Sequence, residues 1–82
     1  MYFVYILQSE KTGRYYIGYT SDLSNRLDQH NSGGNVSTKS GSPWKIVHTE
    51  EFSTKKEAWL RERQIKSYKG GAAFKKMIGG VA

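Results

Sequence analysis

Two helical spacings in this sequence set ionisable groups among apolar ones. Leu23, Arg26, Leu27 and His30 follow i, i+3, i+4, i+7, which puts all four on one helix face. A guanidinium and an imidazole are out of place on a packing face. Ala58, Glu62 and Ile65 form one stripe of a second helix, with Trp59 beside it, so a carboxylate is aimed toward the packing side. Tyr16 and Gly18 share one face of a strand, with Tyr15, Ile17 and Tyr19 on the other. A guanidinium fork binds oxyanions, an imidazole moves protons near neutral pH, and a carboxylate holds metal ions. Each residue also has a plain structural use. Glu62 can pair with Lys66 at i+4, and His30 can cap its helix end. The tyrosines can be sheet aromatics, and Gly18 can admit a close neighbour.

The elements that must position these groups are legible in outline. Residues 2–7 are aromatic, β-branched and continuous, as in a strand covered on both faces. Ser9 to Gly13 reads as a turn and residues 14–20 as a second strand, giving a hairpin. A helix starts near Ser21–Asp22, where a side-chain oxygen can cap free backbone N–H groups, and ends near Asn31–Gly34. Residues 32–43 form a polar loop, and Trp44 to Phe52 a third strand. Thr54 and Glu57 make a capping box that opens a second long helix, stopped at Lys69-Gly70-Gly71. Ala72–Ile78 makes a short last helix. No repeat or linker interrupts residues 1–82, which read as a single domain.

Size and charge bound the function. A chain of 82 residues should fold to a surface of roughly 5,000 Å² and bury a little over ~60% of what it exposes unfolded. That supports one thin core and a shallow groove, which suits a polymeric substrate better than an engulfed metabolite. With no cysteine, neither a disulfide nor a thiolate zinc site is available. The opening MYFVYIL is too short to span a membrane and lacks a basic leader, so a soluble cytoplasmic protein without membrane contact is expected. Residues 1–54 carry five basic and five acidic side chains. Residues 55–76 carry eight basic and two acidic ones, so the whole net charge of +6 lies there. Such a field attracts polyanions, nucleic acid foremost, although a solvated helix face is the simpler source of the same charge.

Four segments in order resemble the GIY-YIG nucleases. Phe3-Val4-Tyr5 followed by Tyr16-Ile17-Gly18 resembles the two-part signature that gives the family its name. The run from Thr20 through Arg26 and His30 to Gly33 resembles the helix that follows it. Glu57-Ala58, Glu62 and Ile65-Lys66 resemble the helix that carries the family's metal-binding glutamate. Phe3 stands where the family has its leading glycine, and no asparagine follows Glu62. The match is to the small, stand-alone proteins made of this domain only, and the chain is also similar to the nuclease domain at the N-terminus of a DNA-repair excinuclease. The resemblance implies an α+β fold, a three-stranded antiparallel sheet flanked by helices in the order β-β-α-β-α-α. It brings Arg26, His30, Glu62 and the tyrosines to the same side of that sheet.

It also implies phosphodiester hydrolysis with one divalent ion, Mg²⁺ or Mn²⁺, and DNA as the nucleic acid. Hydrolysis needs an activated water, counter-charge for developing oxyanions and help for the leaving group. By resemblance Tyr5, Tyr16, Arg26, His30 and Glu62 are the catalytic set. Glu62 holds the metal, Arg26 grips the scissile phosphate, and Tyr5 and Tyr16 position the water, one of them as a candidate base. A phenol serves as base only if a nearby cation lowers its pKa. His30 relays a proton or contacts phosphate, and His48 is structural. Gly18, Lys55, Lys56, Arg63, Lys66 and Lys69 are the candidate substrate contacts.

Three functions fit these residues: an endonuclease or nickase in DNA repair or recombination, a nucleic-acid-binding module on the same fold, and an adaptor in a repair complex. An enzyme cuts with Mg²⁺ and stops with EDTA, a binding module shifts DNA under both conditions, and an adaptor does neither alone. If the C-terminal basic residues track a phosphate backbone, about four to six phosphates are neutralised. Duplex binding should then weaken with a log–log salt slope of roughly −4 to −5. A slope near zero across a salt titration would contradict the basic footprint.

Overall fold

The computed structural model describes residues 1–32 and 41–79. Most of the expected loop over 32–43 lies outside the described residues, while the first helix ends at Asn31 with Ser32 as its cap, within the expected Asn31–Gly34. Strands β1 (Tyr2–Ser9), β2 (Tyr15–Thr20) and β3 (Trp44–Phe52) and helices α1 (Leu23–Asn31), α2 (Lys55–Ser67) and α3 (Ala72–Met77) follow the expected β-β-α-β-α-α order. The strands form one antiparallel sheet in the order β2-β1-β3. The α+β class is therefore as expected.

β1 is central, which is why its sequence is apolar on both faces. Val4, Ile6 and Leu7 are fully buried and Tyr5 nearly so. Alternation along β1 divides the core. Val4 and Ile6 pack with Ala58, Ile65 and Phe74, beneath α2 and α3. Tyr5 and Leu7 pack with Trp44, Leu23 and Leu27, beneath α1. The two long helices thus lie on opposite faces of the sheet. This corrects the expectation that Arg26, His30, Glu62 and the tyrosines share one side. Arg26 and His30 belong to the α1 face, and Glu62 to a helix packed on the other. A bulge between β1 and β3 at Ile6/Leu7 leaves Val47 to pack against the Val4–Ile6 cluster.

Local hydrogen bonds fix each element. The β1–β2 turn closes on Ser9, whose hydroxyl oxygen accepts from the N–H groups of Lys11 and Thr12, and Gly13 supplies a positive φ of 78°. Asp22 caps α1 by accepting from the Asn25 N–H at 3.1 Å. Asn31 clasps the start of β3, accepting from the Trp44 N–H and donating to the Trp44 carbonyl. Thr54 and Glu57 form the expected capping box at α2. After α2 the chain turns through Lys69 and Gly70, both at positive φ.

The burial pattern yields a stability prediction. Ile65 is fully buried and Leu60, on the same helix, is 49% exposed. Ile65→Ala should cost about 2–5 kcal/mol in denaturant unfolding, and Leu60→Ala about 0.5 kcal/mol or less. Equal costs would contradict the assignment of the core face.

Candidate active site

Gly18 explains where Tyr5 lies. A Cβ on Gly18 would stand 2.6 Å from the Tyr5 hydroxyl oxygen and 2.8 Å from Cζ. Strand pairing sets Tyr5 opposite Gly18, and the missing side chain lets the phenol cross over β2. Gly18 is itself buried. The expected substrate contact is therefore corrected: Gly18 is buried beneath the Tyr5 ring and is the seat of that ring. Tyr16, also on β2, stacks on Tyr5 with centroids 6.4 Å apart and planes at 26°.

From α1, His30 closes over the two rings. Its Nε2 lies 3.1 Å from the Tyr5 hydroxyl oxygen, and its ring centre is 4.8 Å from that of Tyr16. His30 is fully buried, so it does not reach a phosphate directly, and the proton relay is the part of its expected role that the geometry allows. Burial, then the charge of Arg26, lowers its pKa from 6.5 and keeps the imidazole neutral.

Tyr5 is shifted the other way. Burial raises its pKa above the usual 10.0, with Tyr16 adding to the effect; Arg26 lowers it and Glu62 raises it. Without a further cation Tyr5 holds its proton, so a Tyr5 phenolate base is not prepared in this state. The same couplings locate the other two residues. Arg26 acts on both Tyr5 and His30, and Glu62 acts on Tyr5 although α2 lies across the sheet. Tyr5 on β1 and His30 on α1 thus form a buried phenol–imidazole pair, with Arg26 four residues before His30 on the same helix.

Glu62 is the carboxylate expected to hold a metal. Its side chain is 14% exposed, and Lys66 Nζ lies 3.7 Å from its Oε2. Among the described residues no three His, Asp, Glu or Cys side chains cluster as a cation cage. One carboxylate completed by water suits Mg²⁺ or Mn²⁺ and not zinc, which takes three or four protein ligands.

The basic residues divide. Arg61 is committed to Glu50 through a two-pronged ion pair, Nε–Oε1 2.8 Å and Nη2–Oε2 3.0 Å, with His48 on the same carboxylate at 2.8 Å. That pairing holds the Glu50 carboxyl below its usual range and gives His48 a structural place, as expected. Arg63 stacks over the Trp59 ring at 4.9 Å. Lys69 is exposed beyond the end of α2. Lys55 and Lys56 line a cleft with Tyr19 and Trp59, and Lys55 lines its neighbour with Tyr2, Tyr19, Thr20, Ser21 and Arg26. Sequence reading missed Tyr19 and Trp59 as groove residues. The only signal was Trp59 standing beside, and not on, the packing stripe of α2.

The buried pair predicts a stability window. Below pH 6.5 the unfolded chain protonates a histidine that the fold keeps neutral, so stability falls as pH drops through that value. Above pH 10.0 the unfolded chain ionises a tyrosine that the fold keeps protonated, so stability falls as pH rises. Urea unfolding at stepped pH should show the alkaline loss reduced in Tyr5→Phe. An unchanged alkaline loss in that variant would contradict the burial of a protonated phenol.

Among the described residues no helix is long and apolar enough to cross a membrane. The family model described as the GIY-YIG catalytic domain matches residues 1–75. A UPF0213 protein of Halobacterium salinarum is 42% identical over 67 residues, 80% of this chain and 86% of the relative. One of Streptococcus pneumoniae is 40% identical over 68 residues, 82% of this chain and 68% of the relative. The solution structure of a UPF0213 protein from Bacillus halodurans is 35% identical, with a TM-score of 0.49 over 89% of this chain and 90% of that one. The chain belongs to the GIY-YIG catalytic domain family, a family of nuclease-type domains.

Proposed function

We propose that this protein is an endonuclease or nickase that hydrolyses a phosphodiester bond of DNA, using one Mg²⁺ or Mn²⁺ ion held by Glu62. The observation that carries this reading is the buried Tyr5–His30 pair, hydroxyl oxygen to Nε2 3.1 Å, seated on Gly18 beside Tyr16 in a chain whose GIY-YIG match spans residues 1–75. In this reading Arg26, four residues before His30 on α1, would add oxyanion binding to that pair, and Glu62 on α2 would add a metal ion.

Arg26 binds the scissile phosphate through its planar fork and stabilises the charge that grows on its oxygens. Tyr5 and Tyr16 orient the attacking water. Tyr5 accepts a proton from that water at its hydroxyl oxygen as it passes its own to His30 Nε2, 3.1 Å away. His30 takes part in the tautomer whose Nε2 accepts, and its neutrality is what lets it receive the proton. When bound at Glu62, the cation supplies Lewis-acid charge to the phosphate and the leaving alkoxide. The resemblance to the excinuclease domain is what supports adding a role in repair or recombination to this proposal.

The Lys66 ion pair on Glu62 favours a second reading, a DNA-binding module that does not cut, because it occupies the carboxylate a cation needs. Substitution separates the two. Glu62→Gln should bind DNA and cut at least about a hundredfold more slowly, ~2.7 kcal/mol in barrier height. Glu57→Gln, which touches only the capping box, should lose about 1 kcal/mol of stability and keep its cleavage rate. Cleavage at the wild-type rate by Glu62→Gln would contradict the single-metal mechanism. Arg26→Lys should recover little activity, because a point charge does not replace the fork; near-full activity in that variant would remove the role assigned to Arg26.

A further inference from the structure

The groove continues past Arg26. Tyr19 and Lys55 line both of two adjoining clefts, the first shared with Arg26 and the second, of about 320 Å³, with Lys56 and Trp59. Trp59 is 40% exposed, on a helix whose apolar stripe is already supplied by Ala58 and Ile65. Arg63 lies over its ring, with the guanidinium carbon 4.9 Å from the centroid. A large aromatic surface, partly exposed and flanked by two lysines, offers little to a duplex backbone. Paired bases bury their faces against one another, and only an unpaired base can offer one to an indole. Lysines beside it meet the phosphates on either side of that base.

We propose that the Tyr19–Trp59 cleft holds an unpaired nucleotide next to the phosphate gripped by Arg26, so that the substrate class is DNA with single-stranded nucleotides beside the scissile bond. This rests on the nuclease reading above for the location of that bond. Stacking on Trp59 supplies sequence-tolerant affinity, Lys55 and Lys56 supply the charge, and Arg26 marks where the strand meets the reactive groups.

Tryptophan fluorescence tests this without cleavage. The chain has two tryptophans, and Trp44 is buried while Trp59 is exposed. In EDTA, oligothymidylate should quench the emission, and a blunt duplex of equal length should quench it little. Trp59→Ala should weaken oligothymidylate binding roughly tenfold or more and duplex binding less than about twofold. Trp59→Tyr should keep most of the affinity, and Lys55→Ala should weaken both ligands. Absence of quenching by oligothymidylate, or equal losses on both ligands in Trp59→Ala, would overturn the proposal. Added Mg²⁺ separates it from the nuclease reading. Discrimination without cleavage would sustain the cleft and refute the enzyme. Cleavage of blunt duplex as fast as of DNA with unpaired nucleotides would sustain the enzyme and overturn the cleft.

Discussion

The hydrogen bond between the Tyr5 hydroxyl and His30 Nε2 is the contact on which the rest of the site depends. Both groups are buried, and a buried polar atom left without a partner costs about 1–3 kcal/mol. The pair can meet only because Gly18 has no side chain to stop the phenol crossing β2. It also demands that α1 lie over that face of the sheet, since His30 comes from the last turn of that helix. Burial disfavours the charged form of each, raising the Tyr5 pKa and lowering that of His30.

The charged groups stand around this neutral pair and not within it. Arg26 approaches from α1 and Glu62 from α2, across a sheet of three strands in which β2 is an edge. A thin sheet with an open edge is what lets residues from its two faces act on one phenol. The basic surplus is divided between structural and surface uses. Arg61 is held by Glu50, Lys66 faces Glu62 and Arg63 covers Trp59. Lys55 and Lys56 are left to line the groove that leads to Arg26.

Much of this was legible in the chain. The continuous apolar run of β1, the capping residues Asp22, Thr54 and Glu57, and the helical spacing of Arg26 with His30 are local signals, and local chemistry fixed those elements. The division of α1 and α2 between opposite faces was not legible. It depends on which alternate residues of β1 each helix covers, and β1 is apolar on both sides. Gly18 showed the same limit, since an open glycine and one covered by Tyr5 have the same sequence. Nor did the charge count reveal that Arg61 is neutralised by Glu50, eleven residues away on β3. Tyr19 and Trp59 became a cleft only once β2 and α2 were side by side.

The function proposed for these groups acting together is the cutting of DNA. The most direct measurement is incubation of the intact protein with nicked, flapped, branched, duplex and single-stranded DNA, with Mg²⁺ or Mn²⁺ and with EDTA, followed by strand analysis on denaturing gels. Strand scission is expected on at least one of these substrates in the presence of the metal, and none in EDTA. Stable binding to the same substrates with every strand intact under all conditions would contradict that function.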